Sequence, residues 1–129
     1  MRAARPGSRW SAGRVQRRSR YAAYIDSDDW FRRRELWHEE WLARYGAPAV
    51  CMVCSGKWSL GRGDLHHRTY DRLGHELFED LVPLCREHHT ALHDIWDRTP
   101  AWRRMGRQHA TAGIIAALRR SISVAPDAS

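Results

Sequence analysis

Apolar residues recur at helical spacing through DSDDWFRRRELWHEEWLARYGAP, where Trp30, Leu36 or Trp37, Trp41 and Tyr45 fall on one face. Ser27 or Asp28 stands where an N-cap belongs, acids fill the first turn, and Gly46 with Pro48 closes the segment. The pattern predicts a helix whose aromatic stripe packs a core. The next stretch, from Ala49 to Cys85, breaks into short apolar pieces between glycines, which suits a knuckle followed by a two-stranded ribbon with a long connecting loop. One strand is expected near Leu65 to Arg68 and the other near Leu81 to Leu84. REHHTALHDIWD then returns to helical spacing, and Thr99 with Pro100 opens a last helix whose apolar face is Ile114, Ile115 and Leu118. Residues 1 to about 23 carry Arg, Gly, Ser and Pro with little apolar content and read as a disordered arm. The expected organisation is therefore α+β: an arm over 1–23, a domain with its N-terminal helix over 24–98, a C-terminal helix packed on it over 99–122, and a tail over 123–129.

Length and charge sharpen this picture. A chain of 129 residues with seven Trp can build one small core. No apolar run approaches the ~20 residues of a membrane span, so no membrane partner is expected. The net charge of +7 is segregated: residues 1–25 hold seven Arg and no acid, residues 26–97 carry a net −5, and residues 98–126 hold six Arg and no acid. A slightly acidic centre between two basic ends suits a module that grips a phosphate backbone, and a nucleic acid is the expected partner. Three cysteines cannot all pair, and two of them form CMVC, so a metal in a reducing compartment explains them better than disulfides. No secretory signal follows the basic start, which points to the cytoplasm. An Arg-rich, acid-free start also suits an organelle transit peptide.

The stretch LCREHHTALH packs one cysteine and three histidines into ten positions. On a helix, positions three or four apart share a face and neighbours turn away by ~100°. Cys85 therefore pairs with His88, and His89 with His93, which separates two sites. Cys51 and Cys54 complete the first as a Cys51, Cys54, Cys85, His88 tetrahedron, a closed structural zinc site. Between its halves lies DLHHRTY, where adjacent His66 and His67 point to opposite faces of a strand. His66 with His89 and His93 gives three imidazoles and open positions, the mark of a catalytic metal. His67 is then left metal-free, with a near-neutral reference pKa suited to general base work.

CMVC, DLHHRTYDRLGHELFEDLVPLC and REHHTALH together, over residues 51 to 93, resemble the HNH endonucleases of the ββα-metal fold with a zinc knuckle, and small phage-type members in particular. The resemblance implies a small ββα-metal core flanked by helices, a divalent ion on His66, His89 and His93, and His67 as the base that activates water. It places the family's middle Asn at Asp80, which accepts backbone N–H bonds but cannot donate as an amide does. His88 stands where many members have a fourth Cys. Three imidazoles suit Mn, Ni, Co or Zn better than Mg, though substrate phosphates and water leave Mg open. Arg68 and Arg72, flanking the ribbon loop, are candidate phosphate contacts.

The expected function is a metal-dependent DNA endonuclease that hydrolyses phosphodiester bonds, nicking with low sequence specificity because little chain remains for a reading domain. Duplex cleavage would call for a homodimer, a packaging or nuclease partner, or repeated nicking. The alternative is a catalytically inactive, zinc-stapled nucleic-acid-binding module, with Asp80 as its suspicious feature, or an adaptor in a phage DNA-packaging complex.

Overall fold

Ser27 starts the first long helix of the computed structural model, which describes residues 19–123. Its Oγ accepts the Trp30 N–H at 3.2 Å, so an orphan donor of the first turn of helix α2 (Asp28–Tyr45) is satisfied locally. Asp28 and Asp29 favour the positive end of the helix, and the Gly46 N–H closes the other end on the Leu42 carbonyl at 2.9 Å. Of the two positions left open for the stripe, Trp37 is fully buried and Leu36 is exposed. Trp30 is buried too, Trp41 packs at the cluster's edge, and Tyr45 is exposed while stacking on Trp41.

The predicted arm ends earlier than expected. Residues 19–25 are helical (α1), because Tyr24 and Ile25 pack onto the α2 aromatic cluster and the Tyr24 hydroxyl donates to Glu76 at 2.8 Å. Two hydrophobic anchors within one helical turn, one aromatic and one aliphatic, outweigh the polar composition before them. The rest of the arm, residues 1–18, and the tail at 124–129 lie outside the described residues.

Strands β1 (Gly63–His67) and β2 (Leu81–Cys85) pair antiparallel, with Leu65 opposite Pro83, His66 opposite Val82 and His67 opposite Leu81. Strand alternation divides this hairpin between two cores. Leu65 and Leu81 join Trp30, Trp37, Ala49 and Trp58 on the α2 side. Val82 and Leu84 join Cys51, Val53, Leu92, Ala110 and Ile114 on the other side, beneath helices α3 (Arg86–Arg98) and α5 (Arg107–Ser123). Pro83 offers no N–H, but its carbonyl accepts the Met52 N–H at 3.0 Å, so the outer edge of β2 holds the CMVC turn in place.

The single C-terminal helix expected from Pro100 onward is two helices. Short α4 (Pro100–Arg104) stops at Gly106, whose φ of 85° is left-handed, and α5 starts at the next residue. That reversal lets α5 bring Ala110, Thr111 and Ile114 against α3 and the hairpin. No helix among the described residues is long and apolar enough to cross a membrane.

Gly63 begins β1 directly under the Trp58 indole, in space that a Cβ would occupy. Gly63→Ala is expected to destabilise the protein by roughly 1–3 kcal/mol through this overpacking, read as a lower melting temperature. An unchanged melting curve would show that the indole yields freely.

Candidate metal centres

Two clusters of metal-ligating side chains form on different faces of the first turns of α3. In the first, the ligand atoms of Cys51, Cys54, Cys85 and His88 all lie within 4.8 Å of one another. The CMVC turn supplies its own support: Val53 N–H faces Cys51 Sγ and Gly56 N–H faces Cys54 Sγ, both at 3.4 Å. Ser55 takes a left-handed φ of 61° in this tight turn, and its N–H donates to the Cys51 carbonyl at 2.9 Å. Cys85 is the N-cap of α3, with its Sγ 3.2 Å from His88 Nδ1. No two of the cysteines are joined. Burial acts to raise the Cys51 thiol, but backbone N–H groups of Cys54, Cys85 and Val53, with the His88 ring, more than offset it and leave it at about 7. Burial and the adjacent Cys51 push Cys85 up to about 11. Three sulfurs and one imidazole at this separation suggest a structural zinc.

The second cluster is His66, His89 and His93, again with ligand atoms within 4.8 Å of one another. His89 and His93 lie one turn apart on α3, and their Nε2 atoms approach to 3.1 Å. Asp64 Oδ2 accepts from His89 Nδ1 at 3.0 Å, which fixes that ring with Nε2 facing inward. His66 is 1% exposed; its Nε2 meets Thr111 Oγ1 at 3.0 Å, and its Nδ1 has no hydrogen-bond partner. Burial, with Arg107, His89 and His93 nearby, holds His66 well below its usual range. Burial and His89 bring His93 down to about 4. His66 and His93 are thereby held as neutral imidazoles at ordinary pH, the form that binds a cation, and the orphaned His66 nitrogen is what such an ion would relieve.

His67, one residue along β1, faces the other way. It is 1% exposed, enclosed by the rings of Tyr21, Trp30 and Tyr70. Glu76 Oε2 lies 2.7 Å from His67 Nε2, while Nδ1 has no partner. Glu76 is itself 5% exposed, and burial acts to raise its pKa, yet hydrogen bonds from His67 and Tyr24 keep it below the usual carboxylate range. Asp80 is buried at the base of the loop. Arg72 grips it with two donors, Nε at 2.7 Å, and the Leu77 N–H donates to it at 2.9 Å. These bonds, Arg72 first, hold Asp80 below its ordinary pKa. Arg72 is thus paired with Asp80 while its side chain stays partly exposed, and the backbone N–H of half-buried Arg68 donates to the Asp80 carbonyl at 2.8 Å.

Sequence spacing identifies all seven members of the two clusters but not their supports. Asp64 was legible in principle, since it lies two positions before His66 on the same strand face. Glu76 and Thr111 carry no local signal: a loop brings one and a distant helix the other. The hairpin, the following helix and the two clusters are compatible with a ββα-metal motif. The chain matches no family model, no curated protein and no solved structure.

Two outcomes follow from the donor sets. A thiol at about 11 holds its proton at neutral pH and must release it on coordination, so zinc affinity at the cysteine cluster should rise with pH and fall on mild acidification. Competition against a chromophoric chelator measures this, and a pH-independent affinity would contradict it. His89→Ala should abolish the second site while one zinc per chain survives, as read by elemental analysis. Loss of that zinc would mean the helix faces are assigned wrongly.

Proposed function

We propose that the protein is an HNH-type, metal-dependent endonuclease that nicks DNA. The observation that carries this reading is the pairing of His66 and His67 on β1: one joins a three-imidazole cluster, and the other keeps a free Nδ1 with its Nε2 bound to a buried carboxylate. A packing role would account for the Glu76 hydrogen bond but would leave the other ring nitrogen, Nδ1, buried without a partner.

His67 Nδ1 takes a proton from the attacking water, and Glu76 holds the ring in the Nε2–H tautomer. The same carboxylate stabilises the imidazolium that forms, as in other carboxylate–histidine pairs. Tyr24 and the buried surroundings fix Glu76, so the base does not swing. Asp80 acts at a distance. With Arg72 and Leu77 it ties the loop on which Glu76 sits, which gives an acid in the middle position a role that an amide would fill less well. When bound at His66, His89 and His93, a divalent ion supplies charge neutralisation at the phosphate and at the departing oxygen. A structural zinc on Cys51, Cys54, Cys85 and His88 holds the CMVC turn, β2 and α3 together. The basic ends of the chain suit the DNA backbone.

A second reading, a DNA-binding module without catalysis, is favoured by the enclosure of His67 under Tyr21, Trp30 and Tyr70. Supercoiled-plasmid nicking separates the two. With manganese, His67→Ala should lower the rate by about 100-fold or more, and Glu76→Gln by roughly 10–100-fold, with zinc content unchanged. DNA binding without nicking by zinc-loaded wild type would favour the binding module.

A further inference from the structure

Arg107 opens α5, outside the ββα core and far in sequence from every ligand, yet its Nε donates to the His67 carbonyl at 2.7 Å. Its guanidinium lies 4.1 Å over the Tyr70 ring and lines a cleft of about 680 Å³ together with Tyr24, Tyr70, Leu73, His93 and Trp96. We infer that Arg107 binds the scissile phosphate, holding it in this cleft beside His93; the inference rests on the nuclease reading and names the residue through which that site grips its substrate.

Two observations converge on this assignment. Arg107 forms no ion pair among the described residues, although it is half-buried; Arg72, by contrast, is matched by Asp80, and exposed Arg86 lies 3.8 Å from Asp64. A half-buried guanidinium without a carboxylate is costly to keep charged, and burial does lower its pKa, so an anion entering the cleft would remove that cost. Asp71 and Asp97 line the same cleft, but neither pairs with Arg107, so its guanidinium still lacks the counter-charge that a phosphodiester would supply. Finally, the guanidinium is already oriented. The His67 carbonyl and the Tyr70 face fix its plane, which lowers the entropy lost when a fork of N–H donors meets phosphate oxygens. The carbonyl that orients Arg107 belongs to His67, so the phosphate grip and the base share one residue of β1.

The test compares wild type, Arg107→Lys and Arg107→Ala. Manganese-supported plasmid nicking and calorimetric titration of inorganic phosphate into the metal-loaded proteins are measured, with melting temperature and metal content alongside. Arg107→Ala should lower kcat/KM for nicking by about 100-fold, with partial recovery on adding methylguanidinium, and phosphate affinity should fall by about 10-fold or more. Arg107→Lys keeps the charge but loses the fork and should fall between; it carries the test if the alanine variant does not fold. Phosphate affinity unchanged in the folded variants would overturn the assignment, as would a nicking loss that methylguanidinium does not recover in an alanine variant with normal metal content. Absence of nicking by wild type would sink the nuclease reading instead, and phosphate affinity in the lysine variant would then decide Arg107 alone: weakened supports it, unchanged overturns it.

Discussion

Neighbouring side chains on a β-strand leave its opposite faces, and β1 uses that constraint to put two adjacent histidines into different chemical settings. His66 turns toward α3 and α5, where His89, His93 and Thr111 surround it. His67 turns toward α1 and α2, among Tyr21, Trp30 and Glu76. A slip of one residue in the pairing of β1 with β2 would exchange them, so both settings depend on register. Leu65 and Val82 hold that register from opposite cores, and the Trp58 indole over Gly63 leaves the start of β1 no freedom to shift.

The helix that follows repeats the device at a different period. Cys85 and His88 mark one face of α3, and His89 with His93 marks another, so a single element serves a cysteine-rich centre and an imidazole centre without sharing a ligand. On the function proposed above, the division also separates stability from chemistry. The cysteine cluster sits at the junction of the CMVC turn, β2 and α3, where a closed zinc would reinforce the small core that Cys51, Val53, Val82, Leu84 and Leu92 already share. The histidine cluster adjoins the clefts and draws its support from Asp64 and Thr111, which orient rings rather than staple chain.

How much of this was legible in the sequence follows from the range of each interaction. Metal ligands show themselves because they must recur at helix, strand or knuckle spacing, and Cys51, Cys54, Cys85, His88, His66, His89 and His93 all do. Glu76 and Arg107 reach the site through tertiary folding, across nine and forty residues from His67, and nothing in their neighbours marks them. The helix at 19–25 was hidden for a related reason: its order comes from Tyr24 and Ile25 packing on α2, which composition cannot register. At Gly106 the local signal existed, and the apolar periodicity on either side obscured it. Arg72 carried a second role that composition does not show, since its pairing with Asp80 depends on how the loop folds.

Anomalous diffraction tests the division into two centres most directly. Crystals grown with zinc and then exchanged into manganese would be measured at the absorption edge of each metal. The account predicts a zinc peak enclosed by Cys51, Cys54, Cys85 and His88 that persists through exchange, and a manganese peak among His66, His89 and His93. A single peak, or an ion that draws His88 and His89 into the same coordination sphere, would contradict it.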